Sequence, residues 1–203
     1  MITQAEFSAT IADFDDLEPT RSPLYGMALD LLGAGYEVEA YLLILATWNF
    51  ANFRYILTRF DLAAFRQIIE DTEPIFQRLK QHTFQTADFD ALAEDIKSVY
   101  SQFKALVGQT GAAKLLHFKH PGLFVMWDTD IRKRFRIPNE STPDDFIRFL
   151  KTMKFEFGHI AWTGQDRTLA KAIDEYNFVV AHRNRKRKGR IPNQRFHGAT
   201  SRL

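Results

Sequence analysis

The chain has no cysteine, and its 203 residues include only ten glycines and seven prolines. The lack of cysteine excludes disulfides, thiolate metal sites and a thiol nucleophile, and it fits a reducing, cytoplasmic setting. So few glycines and prolines speak against a turn-rich all-β protein, and no segment alternates apolar and polar residues with turn residues at hairpin spacing. There is no internal repeat of roughly 20–50 residues and no persistent heptad, so neither a solenoid nor a coiled coil is expected. Long apolar runs are also missing. The longest, residues 41–48, is far too short to cross a bilayer, so no membrane partner is expected. The opening stretch MITQAEFSATIADFDD is acidic and has no basic flank before an apolar run, unlike a secretory signal. No P-loop, dinucleotide fingerprint or nucleophile elbow occurs, and no cofactor is implied.

What the chain does have is apolar mass and polarised charge. Hydrophobic residues make up 45%, with 19 phenylalanines, enough for a packed core without staples. The net charge of +2 conceals an asymmetry: residues 1–100 carry 7 Lys/Arg against 16 Asp/Glu, residues 101–203 carry 20 against 9. The second half suits a polyanion such as nucleic acid; alternatively, the two halves neutralise each other.

Helical periodicity dominates. Thr3 can cap a first helix through about Asp13, followed by a polar loop over 16–23. A second helix is expected over 24–32, stopped by Gly33 and Gly35. Residues 37–57 read as one long, central helix that is apolar around most of its circumference. Another covers 62–80, which Glu73-Pro74 is expected to kink or divide. Residues 81–88 form a linker. Phe89, Leu92, Ile96, Val99, Phe103 and Leu106 recur at steps of three and four, an amphipathic helix. Thr142-Pro143 starts a further helix, and a last one spans 168–182. The expected fold is therefore an all-α globular array of about 8–10 helices over residues 1–182, with lobes 1–86 and 87–182 on either side of a cleft as one arrangement. Residues 183–203, with eight Lys/Arg and no acid, read as a basic flexible tail that either contacts phosphates or solubilises the chain.

The most informative stretch is 106–135, LVGQTGAAKLLHFKHPGLFVMWDTDIRKRF. Gly108 and Gly111 bracket Gln109-Thr110, and glycines there permit a tight turn. The helix that follows would aim its unpaired N–H groups at an anion such as a DNA phosphate, although an ordinary helix-helix turn has the same composition. Asp128 follows an apolar run ending in Trp127 and precedes the basic cluster Arg132, Lys133, Arg134 and Arg136. It is a candidate catalytic carboxylate and equally a candidate N-cap for a helix over 130–135; Asp130 would favour that helix's dipole.

These residues resemble the active segment of the helix-hairpin-helix DNA glycosylase superfamily, of the 8-oxoguanine glycosylase and endonuclease III type. In that family a hairpin of the form L-P-G-V-G-x-K-T-A leads into a helix and then to V-D-T-H-V/I. Laid down without gaps, residues 106–111 fall near the hairpin, and Trp127-Asp128-Thr129-Asp130-Ile131 falls on the second motif. Thr110 and Asp128 are separated by 18 residues, about the family's spacing from hairpin lysine to catalytic aspartate. The resemblance covers about thirty residues. It departs from the pattern before Gly108, where Pro is absent, at the second hairpin glycine, which is displaced, and at the hairpin lysine, whose place falls on Thr110 or, with a small shift, on Ala112. Lys114, one helical turn after Thr110, is the nearest candidate for that role, at a spacing of 14 residues from Asp128. By this resemblance Asp128 would stabilise the oxocarbenium charge that develops as an N-glycosidic bond breaks. Lys114 would assist or attack C1′, and the misplaced lysine puts lyase activity in doubt. A helix cap and a catalytic aspartate can be the same residue.

Other candidates follow from residue type. Trp48, Asn49, Asn52 and Phe53, with Trp127, could stack on and pair with an extruded base; equally, these aromatics are core. Gly108, Gln109, Thr110, Gly111, Lys119, Arg132, Lys133, Arg185, Lys186, Arg187 and Lys188 are candidate DNA contacts. His117 and His120 lack a third ligand, so no metal site is expected. Asp174 and Glu175 are adjacent and point to different sides of a helix, unlike a matched glycosidase pair. The expectation is a monomeric, cytoplasmic DNA-repair N-glycosylase. The alternative is a non-catalytic helical nucleic-acid-binding module on the same scaffold.

Overall fold

The computed structural model describes residues 2–18, 21–164 and 167–189, without the side chains of 21, 22 and 186–189. Among these residues the protein is all-α, with nine α-helices and no strand.

Helix α1 (Gln4–Leu17) starts at Thr3 with a reciprocal capping box to Glu6, which satisfies two of the orphan N–H groups. It buries Phe7, Ile11 and Phe14 against α9 (Leu169–Gly189), where Phe7 stacks on Tyr176 and Phe14 meets Phe178 edge-on. First and last helices thus pack together. The buried side chains from Phe7 to Tyr176 form one continuous cluster, and it spans the lobe boundary expected at 86/87.

Helix α2 (Arg21–Gly33) ends before Gly35, whose φ of 85° lies in the left-handed region. The expected long helix over 37–57 is two, α3 (Glu37–Trp48) and α4 (Phe50–Ile56), broken at Asn49 and followed by a 3-10 turn (Leu57–Arg59). Apolar periodicity runs through the break and hides it. Asn49 makes no side-chain cap hydrogen bond there. Conversely, α5 (Leu62–Leu79) runs unbroken through Pro74. Phe65, Thr72, Phe76 and Leu79 bury one face on both sides of the proline, and that packing outweighs the lost hydrogen bond.

Helix α6 (Ala93–Lys119) has two arms that meet at Gly108. An extended loop leads to α7 (Thr129–Arg134), and α8 (Pro143–Phe157) starts from a Thr142–Asp145 capping box with Pro at its first position. Helix α9 continues to Gly189, so residues 183–189 are helical rather than part of a loose tail. The packed first half of α9 has already met the nucleation cost, and elongation is cheap.

Candidate functional site: the Gly108 turn and the Asp128 loop

Gly108 has φ 74° and ψ 171°, a conformation essentially restricted to glycine. It ends the first arm of α6 and starts the second, 109–119. Gln109 then ties the turn to the chain before α8. Its Nε2 donates to Asn139 O (2.5 Å), and its Oε1 accepts from Ser141 N (3.0 Å) and Oγ (2.5 Å). Thr110 and Gly111 are buried. A Cβ on Gly111 would stand 2.9 Å from Val107 Cγ2 and 3.1 Å from Asn49 Nδ2, so this glycine allows close packing onto α3. Of the four turn residues, Gly108 and Gln109 reach the surface.

The loop after α6 returns to the same turn. The Trp127 indole N–H donates to Gln109 O at 3.1 Å. Asp128 follows and is half-buried. Its Oδ1 accepts from Ile131 N (2.8 Å) as the N-cap of α7, and its Oδ2 has no hydrogen bond among the described residues. The cap expectation is met, and one carboxylate oxygen is left over.

Several candidate contacts serve the fold instead. Arg132 is buried, with Nη1 on Pro138 O (3.3 Å) and Asn139 O (3.0 Å) and Nη2 on Thr129 Oγ1 (3.3 Å). Its guanidinium lies 5.9 Å from the Trp127 ring centroid, and burial holds its pKa below the usual arginine value. It is a clamp between α7 and the next loop, not a phosphate contact. Lys119 Nζ sits between Glu37 (2.8 Å) and Glu73 (2.6 Å), so its charge is neutralised locally rather than offered to DNA. Burial works against its charged form, but the two carboxylates outweigh that and raise its pKa. Lys133 is exposed. Arg185 pairs with Asp130 at 2.9 Å. Lys186, Arg187 and Lys188 fall within α9, and their side chains lie outside the described residues.

Lys114 is 6% exposed. It lies on the second arm of α6, close enough to His117 to disfavour the imidazolium, whereas the charge that Arg132 feels is that of Asp128. The expected base pocket is largely core. Trp127 is enclosed by Tyr100, Phe146 and Phe149 at 5.0–6.0 Å. Phe53 packs on Phe60, half-buried Trp48 packs on Phe118, and Asn49 is buried. Helical spacing marks a shared face but not whether that face is inside. Asn52 alone of this group is exposed. It lines an open cavity of 520 Å³ with Tyr55, Lys104, Gly108 and Gln109. Tyr55 lies three residues from Asn52 and so shares its helix face, and Lys104 joins them from α6.

A second polar cluster lies in the core. His117 Nδ1 is 2.6 Å from Phe124 O and Nε2 is 2.8 Å from Tyr25 OH. A carbonyl only accepts, so Nδ1 carries the proton and Nε2 takes the tyrosine O–H. Lys171 pairs with Asp174 (3.3 Å) and Glu175 (3.2 Å), Glu175 pairs with Arg167 (2.6 Å), and the Lys171 ammonium stands 5.0 Å over the Tyr25 ring. His120 Nε2 reaches Leu79 O at 3.0 Å. The two histidines point to different partners, and no group of three or more metal-ligating side chains converges among the described residues. The Lys171–Glu175 spacing of four was a legible helical pair, but its burial was not.

Comparison with protein-family models, curated proteins and solved structures finds no match to this chain.

Proposed function

We propose that the chain is a DNA-acting N-glycosylase in which Asp128 faces the sugar of an extruded nucleotide and Gly108-Gln109 faces a backbone phosphate. The observation that carries this reading is the Trp127–Gln109 hydrogen bond. It draws together a left-handed glycine turn at a helix start and an aspartate 20 residues after that glycine. The free Oδ2 of Asp128 suits a role at C1′, where a carboxylate stabilises oxocarbenium charge and orients water. Because Lys114 is enclosed by the core, the reaction is hydrolysis by Asp128 without a lysine adduct. The cavity lined by Asn52, Tyr55 and Lys104 is the seat for the extruded base, in place of Trp48, Phe53 and Trp127.

The test is base release from a panel of lesion-bearing duplexes, with borohydride trapping in parallel. Asp128→Asn keeps a good N-cap and is expected to lose about a hundredfold or more in turnover while still binding DNA. Unchanged turnover would overturn the assignment, and a trapped adduct lost in Lys114→Ala would overturn the lysine-free mechanism. The alternative is a non-catalytic nucleic-acid-binding module on the same scaffold; binding without base release from any lesion would establish it.

A further inference from the structure

Around α4 and its 3-10 turn three large apolar side chains are exposed within eight positions: Phe50 is 59% exposed, Tyr55 65% and Leu57 58%. The same helix puts Phe53 in the core and packs Ile56 against it. Large apolar groups clustered in the open commonly mark an interaction surface. Charge narrows the partner. Residues 1–100 are strongly acidic, yet residues 40–60 contain Arg54 and Arg59 and no acid. The flanking acid Asp61 is engaged as the N-cap of α5. Arg54 braces the tyrosine: its guanidinium carbon stands 4.6 Å from the Tyr55 ring centroid and its Nη2 donates to Tyr55 OH at 2.6 Å. This sets a cation beside an aromatic ring that lines the 520 Å³ cavity, together with Lys104 and Glu140.

We infer that the exposed surface around α4 is a stacking platform for unpaired nucleotides, with Tyr55 as its central ring, Phe50 and Leu57 as apolar contacts on another side of the helix, and Arg54 and Arg59 against the phosphates. Aromatic rings beside cations bind single strands with little sequence preference, because every base has a π face. For a duplex the same side chains would fill the gap opened in the stack. The inference shares with the proposed function its class of partner, nucleic acid, and Tyr55, which also lines the proposed seat for the extruded base. It does not depend on Asp128 chemistry.

The experiment is fluorescence anisotropy of the full chain with a labelled single-stranded thymidine oligonucleotide and with a matched duplex, at two salt concentrations. Tyr55→Ala is expected to weaken single-strand binding by about fivefold or more, the size of one lost stacking contact. Tyr55→Phe, which keeps the ring, restores it, and Arg59→Ala reduces the salt dependence. Single-strand affinity unchanged in both Tyr55→Ala and Phe50→Ala would overturn the platform even if base release depends on Asp128. Conversely, loss of binding in Tyr55→Ala from a chain that releases no base would uphold the platform and sink the glycosylase. Failure to bind the oligonucleotide, together with self-association abolished by Phe50→Ser in sedimentation, would identify the face as a protein interface and overturn the inference.

Discussion

The Tyr25 hydroxyl and His117 Nε2 lie 2.8 Å apart in the core, and the hydrogen bond joins α2 to the second arm of α6. With Nδ1–H on Phe124 O, the neutral imidazole has both nitrogens satisfied. The same ring also holds the start of the loop that ends at Asp128, so a residue with no place at the surface helps position the candidate site. Tyr25→Phe is expected to leave Nε2 buried without a donor and to cost about 1–3 kcal/mol, read from urea unfolding. Long-range proton–nitrogen NMR correlations should show His117 as the Nδ1–H tautomer at neutral pH.

Burial pushes the His117 pKa down from 6.5 to about 3, with smaller contributions from nearby charges including Lys171 and Lys114. The folded value lies below the unfolded one, so between these values the unfolded chain binds more protons. Stability therefore rises with pH through this window, is fully present above about 6.5, and is lost on acidification. One such group contributes a slope of up to about 1.4 kcal/mol per pH unit. Unfolding free energy measured from pH 7 to pH 5 should fall steeply in the parent. It should fall less in His117→Phe, whatever that variant's absolute stability. Equal slopes would mean that His117 is not buried neutral.

The ion cluster on α9 supports a different kind of prediction. Lys171 and Glu175 are both buried, and Glu175 also holds Arg167. Removing one partner of a buried pair leaves the other charge without compensation, at a cost of about 3–5 kcal/mol. Glu175→Gln should approach that range in chemical denaturation. Asp15→Asn, which removes the outer partner of Arg167, should cost under about 1 kcal/mol because that carboxylate is half exposed. Similar losses in the two variants would contradict this ranking.

Much of the fold is legible in the residues. Thr3 and Thr142 announce helix starts through their capping boxes, and the Phe89–Leu106 stripe predicts the first arm of α6. The misreadings share a cause. Periodicity records which residues share a face, but not where the chain turns or which face is inside. It runs unbroken through Asn49, where the helix breaks, and makes Pro74 look disruptive within α5, where packing holds. At the candidate site, Asp128 as an N-cap followed from residue type and position. The internal use of Arg132 and Lys119 did not, because their partners Asn139, Glu37 and Glu73 are distant in sequence. Tyr55 and Phe53 belong to one aromatic-polar stretch, and burial alone separates the exposed ring from the core one.

Gly108 and Gly111 separate two reasons for a glycine. At Gly108 a Cβ would meet nothing within 4 Å, but φ is 74°; Gly108→Ala should cost about 1–3 kcal/mol from backbone strain alone. At Gly111 the backbone is helical, and a Cβ would crowd Val107 and Asn49. Gly111→Ala should therefore be destabilising, and Val107→Ala in the same chain should relieve part of the loss. Thermal unfolding of the two single variants and of the Gly111/Val107 double variant tests this. If Val107→Ala rescued Gly108→Ala equally well, sterics rather than backbone conformation would govern the turn.

Thr110 provides the converse case. Its hydroxyl oxygen is buried and has no hydrogen-bond partner among the described residues. A buried hydroxyl without a partner has lost its hydration and gained nothing in exchange. Valine has nearly the same shape and no polar atom to desolvate, so Thr110→Val should leave stability unchanged or raise it by up to about 1–2 kcal/mol. The outcome also bears on function, because Thr110 belongs to the turn that the proposed function sets against a phosphate. If the buried hydroxyl is only a packing residue, Thr110→Val should retain base release in full. A stabilised variant with unchanged turnover assigns Thr110 to the scaffold of the turn. A destabilised variant would mean that the hydroxyl is satisfied, and a stable variant with lost turnover would mean that the turn presents it to substrate.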